Sequence, residues 1–131
     1  MKILLVEDHV PTREQVEALL SPEKDLVVVA QVGTAEEGIQ MAKQLGPDVV
    51  VMDIVLPGMN GIEATRCILL DRPATRIVAL SNHAGATLVQ AVLDAGGLGY
   101  VRKNRAFEEL IPAIRAVHDG KRYIGENAVK P

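Results

Sequence analysis

The segment Asp48-Val49-Val50-Val51-Met52-Asp53 runs through four consecutive apolar residues with no polar alternation. A strand with one face in water alternates apolar and polar residues. One that does not is buried on both faces, as in a parallel sheet covered by helices on each side. Ile3-Leu4-Leu5-Val6 is a second run of the same kind. Both end on carboxylates, the first at Asp53 and the second at Glu7-Asp8. In an open parallel sheet, ligands bind beyond the carboxyl ends of the strands, at the point where strand order reverses. A carboxylate buried there is costly unless it is paired or used. The runs that dictate the sheet therefore also mark the candidate site.

The rest of the chain alternates similar runs with helical patterns. Strands are predicted at 2–6, 26–30, 48–53, 76–80 and 99–101, and helices at 12–20, 34–45, 62–70, 86–95 and 107–118. Pro11 suits a helix start. Thr34 and Glu37 have capping-box spacing, and Gly46-Pro47 is a stop signal. Pro112 falls inside the last pattern, where its ring meets the carbonyl of Glu108, so that helix either starts later or is kinked. Five strands alternating with five helices predict an α/β fold with a doubly wound, five-stranded parallel sheet. Right-handed crossovers at this length favour the flavodoxin-like order 2-1-3-4-5. The switch point then lies between the first and third strands, beside Glu7-Asp8 and Asp53.

Composition narrows the function. With 131 residues one domain is expected. No Trp, one Phe and two Tyr leave an aliphatic core. Fourteen Lys and Arg stand against 17 Asp and Glu, for a net charge of −3. Basic runs no longer than Arg102-Lys103 or Lys121-Arg122 argue against DNA binding by this chain alone, because phosphate contacts need clustered cations. The single Cys67 excludes an internal disulfide, fits a reducing cytoplasm, and reads as a small core hydrophobe. No apolar stretch approaches the roughly 20 residues that span a bilayer.

Every candidate polar group follows a strand. Glu7 and Asp8 follow the first, Asp53 ends the third, Ser81 follows the fourth and Lys103 the fifth. Clustered carboxylates repel one another and raise one another's pKa values. A Mg²⁺ ion relieves this, since it takes carboxylates, waters and a phosphate oxygen. A carboxylate such as Asp53 can attack phosphorus to give an aspartyl phosphate. Lys103 and Ser81 would then meet the oxygens of the transferred group. Read singly, Asp53 fits a turn or cap, Glu7-Asp8 a helix cap, Ser81 a loop residue, and Tyr100 a core aromatic. Arg102 and Arg105 read as solvated charges.

Taken together, Glu7-Asp8, Asp53 with Pro57-Gly58 and Gly61, Ser81, Tyr100 and Lys103 resemble the receiver domain of two-component response regulators, over 1–123. The remainder, 124–131, reads as a linker stub or tail. Gly61-Ile-Glu-Ala-Thr, Gly99-Tyr100-Val-Arg-Lys103 and Ala113-Ile-Arg-Ala-Val are similar to receivers that precede a LuxR-type helix-turn-helix domain. The resemblance implies a phosphorylation-controlled switch rather than an enzyme acting on other molecules. Asp53 would accept phosphate from a sensor histidine kinase. Asp8 would be a direct Mg²⁺ ligand, Glu7 would act more often through water, and the Val55 carbonyl would be a further ligand. Ser81 and Tyr100 match the switch pair, whose hydroxyl moves toward the phosphoryl group as the ring turns inward. The resemblance further implies a phosphorylation-dependent homodimer, DNA contact only through a domain outside this chain, and a cytoplasmic place. Asn82 departs from a usually small position and narrows access. His83, with Val55, flanks the path of the hydrolytic water and tunes phosphate lifetime.

Three other readings compete. A stand-alone receiver would act by protein binding alone. A Mg²⁺-dependent phosphohydrolase of the haloacid-dehalogenase type needs a second Asp two residues after the nucleophile, where this chain has Val55. A flavin-binding protein wants a hydroxyl-rich phosphate loop after the first strand, where Glu7-Asp8-His9-Val10 would repel phosphate.

Overall fold

The apolar runs form the centre of a parallel sheet in the computed structural model, which describes residues 1–129. The strands are β1 (Lys2–Val6), β2 (Val27–Val32), β3 (Val49–Asp53), β4 (Arg76–Ser81), β5 (Gly99–Arg102) and β6 (Tyr123–Ile124). The helices are α1 (Val10–Leu20), α2 (Ala35–Leu45), α3 (Gly61–Asp71), α4 (Ala86–Asp94) and α5 (Ala106–His118). The sheet is parallel with order β2-β1-β3-β4-β5-β6. The reversal falls between β1 and β3, as expected.

The expected count of five strands is corrected to six. Tyr123 and Ile124 pair with Gly99 and Tyr100, and Tyr123 N–H donates to the Leu98 carbonyl at 3.0 Å. Two residues are too few to show a period, which is why the sequence pattern misses them. Backbone pairing continues past Tyr123, where the sequence reading placed a tail. Gly125 N–H donates to the Tyr100 carbonyl at 2.8 Å, and Ala128 is fully buried. Of that expected tail, Lys130 and Pro131 lie outside the described residues.

Alternate side chains of the same strand feed two cores. Ile3 and Leu5 of β1, Val49 and Val51 of β3, and Val78 and Leu80 of β4 pack under α1 and α5. Leu4, Val6, Val50, Met52 and Ile77 pack under α2 and α3. Ala79 and Tyr100 continue that second face beneath α4. Each such Leu, Ile or Val contributes about 1.5–3 kcal/mol when withdrawn from water, so an aliphatic core suffices without Trp. Cys67 is only half-buried on α3, less enclosed than a core hydrophobe.

Local signals mostly act as read. Thr34 Oγ1 accepts from Glu37 N–H at 3.1 Å and caps α2, and Gly46 ends it with φ +56°. Asn60 caps α3 through Glu63 N–H at 2.9 Å. Helix α5 does not start later than the sequence pattern placed it. It begins at Ala106, after a short 3₁₀ turn over Lys103–Arg105, and runs through the proline, which sits on its exposed side.

The turn after β3 folds back so tightly that α3 begins against its backbone. Gly61 N–H donates to the Ile54 carbonyl at 3.1 Å. A Cβ at Gly61 would collide with the Asp53 carbonyl oxygen and stand 2.7 Å from Ile54 Cα. These neighbours are backbone and cannot swing aside. We therefore expect Gly61→Ala to destabilise the protein by about 1–3 kcal/mol or more and to shift the Asp53 and Ile54 amide resonances. An unchanged urea midpoint would show that this close approach is not required.

Candidate functional site

Four strand ends converge at the carboxyl edge of the sheet. Glu7 leaves β1 with its N–H donated to the Val32 carbonyl at 2.9 Å, which keeps it in line with the sheet. Its side chain is fully buried. Oε2 accepts from His9 N–H at 3.1 Å. Asp53, only 4% exposed, closes β3. Its Oδ1 accepts from Val55 N–H at 3.0 Å, and its Oδ2 accepts from Lys103 Nζ at 3.1 Å. Lys103 follows β5 and reaches back across the edge, so that Nζ also lies 2.6 Å from Glu7 Oε1. That second contact is a short ion pair to a fully buried carboxylate. One ammonium thus serves two buried carboxylates.

Asp8 is exposed beside them. Carboxylate oxygens of Glu7, Asp8 and Asp53 all lie within 4.8 Å of one another. Three anions against one cation leave an excess of negative charge. The electrostatics follow from burial first. Burial pushes the Glu7 carboxyl up to about 7, against the pull of Lys103 and the His9 amide, with Asp53 adding to the rise. The expectation of raised carboxylate pKa values therefore holds at Glu7, but neighbouring charge is the lesser cause. Burial works against the Lys103 ammonium, yet Glu7 and Asp53 outweigh it and hold its pKa above the usual value. An all-oxygen donor set with surplus negative charge fits a hard divalent cation such as Mg²⁺.

Ser81 sits one strand from Asp53 and Tyr100 two. Ser81 ends β4, fully buried, and its Oγ accepts from His83 N–H at 3.0 Å. Among the described residues it makes no hydrogen bond to Asp53. The Tyr100 ring is fully buried, and its hydroxyl donates to the His83 carbonyl at 2.8 Å. Burial raises the phenol pKa above its usual value. The two residues therefore grip the same loop residue, His83, from both sides of its peptide. Asn82 and His83 are exposed at the rim, and Val55 is 57% exposed. Arg102 and Arg105 are not simply solvated. Arg102 donates to the Asn82 carbonyl at 3.3 Å, and among the described residues its buried Nε has no hydrogen-bond partner. Arg105 pairs with Glu109 at 3.4 Å and Glu126 at 3.1 Å.

A cleft of about 1020 Å³ opens above the site. It extends from Asp8, Asp53 and Lys103, past His83, to Leu19 and Phe107. Phe107 is 82% exposed at the start of α5. Sequence reasoning passed over it: Phe107 stands three residues before Leu110 and seven before Ile114, so its spacing reads as part of the buried face of α5.

The response regulator receiver domain model matches residues 3–115. The response regulator GacA of Pseudomonas syringae pv. syringae (strain B728a) is 38% identical over 124 residues, covering 95% of this chain and 58% of GacA. The transcriptional regulatory protein LiaR of Bacillus subtilis (strain 168) is 35% identical over 121 residues, covering 92% of this chain and 57% of LiaR. The chain thus spans somewhat over half the length of these relatives. A LuxR-family two-component response regulator from Aurantimonas sp. SI85-9A1 superposes with a TM-score of 0.89 at 38% identity, over 93% of this chain and 87% of that one. Strand ends that gather Glu7, Asp8, Asp53 and Lys103 at one sheet edge, on a chain matched almost throughout, place this protein among the response regulator receiver domains.

Proposed function

We propose that the chain is a phosphorylation-controlled switch in which Asp53 accepts a phosphoryl group. The observation that carries this reading is Lys103 Nζ, 3.1 Å from Asp53 Oδ2 and 2.6 Å from Glu7 Oε1. It pairs with a buried nucleophile and stands where a phosphoryl oxygen needs a cation. In the reaction, an Asp53 carboxylate oxygen attacks phosphorus. An O–P bond forms as the bond from phosphorus to the donor breaks, and the electron pair leaves with the donor. Catalysis of this kind is mostly positioning and charge stabilisation. Val55 N–H holds Oδ1 and so orients the carboxylate. Lys103 neutralises one equatorial oxygen, and the Ser81 hydroxyl, released from His83 N–H, binds another. Asp8, Asp53, the Val55 carbonyl and, through water, Glu7 would hold Mg²⁺, which supplies the remaining charge neutralisation. Asn82 and His83 at the rim set how easily water reaches the product.

The donor is a sensor histidine kinase. The cleft above Asp53 admits a phosphorylated side chain, and Leu19 and Phe107 give a protein donor an apolar rest. Residues 1–123 form the receiver unit in this reading. By analogy with LiaR, a transcriptional regulatory protein, its output is control of transcription in the cytoplasm. Phosphorylation pairs two copies, and DNA is met by parts outside these residues, whose net charge is −3.

Acetyl phosphate with Mg²⁺ should phosphorylate the wild-type chain once. Incorporation that survives Asp53→Ala, or that proceeds at full rate in EDTA, rejects the acceptor role. Loaded with beryllofluoride, the protein should sediment as a dimer, and a persistent monomer would remove the pairing step. Asp8→Ala should weaken Mg²⁺ binding more than Glu7→Ala, because Asp8 is exposed while Glu7 is fully buried and already engaged. Equal or reversed losses in a metal titration reject that division of roles.

The raised Glu7 pKa fixes a pH dependence of the metal-free protein. The native state binds this proton more tightly than the unfolded chain, whose value is 4.5 against about 7 when folded. The stability it contributes is complete below the unfolded value and is lost as pH rises through the folded one. In EDTA the urea midpoint should therefore fall between pH 5.5 and pH 8, by at most about 3 kcal/mol in stability. Glu7→Gln should flatten that fall. A wild-type profile as flat as that of the variant would mean the carboxyl is not desolvated in the fold.

A further inference from the structure

The segment after β6 is not used by the phosphoryl-transfer reading, yet it is anchored at three points. Gly125 N–H donates to the Tyr100 carbonyl at 2.8 Å. Glu126 N–H donates to both oxygens of Glu109, at 3.0 and 3.2 Å, and Glu109 is a buried carboxylate 5% exposed. The Ala128 carbonyl accepts from Gly85 N–H at 2.8 Å. The local sequence suits this path. A Cβ at Gly125 would strike the Glu109 carboxylate and lie 3.0 Å from the Tyr100 carbonyl oxygen. Asn127 takes φ +61°, a left-handed conformation Asn tolerates, and closes a turn in which Ala128 N–H donates to the Gly125 carbonyl at 3.1 Å. The turn drives the Ala128 methyl inward. It is fully buried against the cluster of Tyr100, Ala79, Val89 and Val92.

The segment thus bridges the elements that surround Tyr100. It lies along β5, which carries the ring, and it ends on Gly85, two residues beyond His83, whose carbonyl holds the ring's hydroxyl. The ring forms part of the floor on which Ala128 sits. If the ring leaves, that floor opens and the loop from Ser81 to Gly85 loses its inner grip.

We propose that residues 125–129 form a strap seated by the inward Tyr100 ring, so that ring and strap are one two-state element that carries the state of the Asp53 site outward along the backbone. The inference rests on reading Ser81 and Tyr100 as the moving pair, and it adds a physical output from that pair. The strap has two kinds of anchor. Gly125 is held by main-chain pairing that does not depend on the ring, whereas Ala128 and Gly85 depend on it. Opening should therefore begin at Ala128 and stop near Gly125.

Amide hydrogen exchange on the full chain tests this without any phosphodonor. In Tyr100→Ala, the Gly85 and Ala128 amides should exchange about tenfold faster or more, while those of Tyr123 and Gly125 change little. Unchanged protection at Gly85 and Ala128 overturns the proposal. Should that variant fail to fold, Ala128→Arg decides from the other side. It should unseat the strap, speed exchange at Gly85, and move the Tyr100 ring resonances toward solvent-exposed values. A ring spectrum identical to wild type overturns the coupling. Beryllofluoride with Mg²⁺ then tests the link to the site. It should slow exchange at Gly85 and Ala128, and Ala128→Arg should weaken its binding by the same factor, as linkage requires. Beryllofluoride that binds tightly yet leaves strap exchange unaltered overturns the link from site to strap. No binding at all sinks the acceptor reading and this link with it, while the two variants still decide whether ring and strap are coupled.

Discussion

Two buried carboxylates sharing one ammonium govern this molecule. Glu7 and Asp53 are withdrawn from water at adjacent strand ends, where an unpaired charge would cost several kcal/mol. Lys103 offsets part of that cost, but it arrives from a third strand. The arrangement therefore exists only when β1, β3 and β5 are all in place and in register. The same shortage of positive charge that makes the site poorly compensated makes it receptive. In the function proposed above, a cation would be wanted at Asp8, and an incoming phosphoryl group would find Lys103 already oriented. Structural need and chemical capacity have one cause.

The geometry that permits this is set by backbone, not by side chains alone. Gly61 lets α3 start in contact with the Asp53 peptide, and Asn60 caps that helix from the turn between them. The turn is held at both ends, so Val55 N–H is delivered to Asp53 Oδ1 rather than left to water. A carboxylate fixed at one oxygen and paired at the other has little orientational freedom left to lose in a reaction.

Most of this was legible in the sequence, because the site lies where the strongest patterns end. Unbroken apolar runs identify β1 and β3, and the residues that stop them are the carboxylates. Thr34-Glu37 and Gly46 mark α2 for the same local reasons that the structure shows. What was not legible depends on contacts too distant or too short for a pattern. Strand β6 is two residues long and exists because β5 offers a free edge. Arg105 looks like a surface charge until Glu109 and Glu126 are brought beside it. Pro112 read as the sign of a later helix start or a kink. The packing of Leu110, Ala113, Ile114 and Val117 against the sheet outweighs the one hydrogen bond the proline removes.

His83 is where these strands of reasoning meet. Its N–H is held by Ser81 and its carbonyl by Tyr100, so one residue, through the two peptide units it joins, links the strand next to Asp53 with the ring beneath α4. In the switch proposed above, Ser81 Oγ, which accepts from His83 N–H, would swing away from that amide to donate its own proton to a phosphoryl oxygen. That amide would then have to find water or a new partner, and the loop carrying it would shift. The Tyr100 hydroxyl would follow the His83 carbonyl or lose it. Packed cores are bistable rather than continuously deformable, so a change of one hydrogen bond at the site is met by discrete rearrangement around the ring. In that reading the signal would be carried by Ser81 Oγ exchanging a donor, His83 N–H, for a phosphoryl acceptor, with no displacement of the sheet itself required.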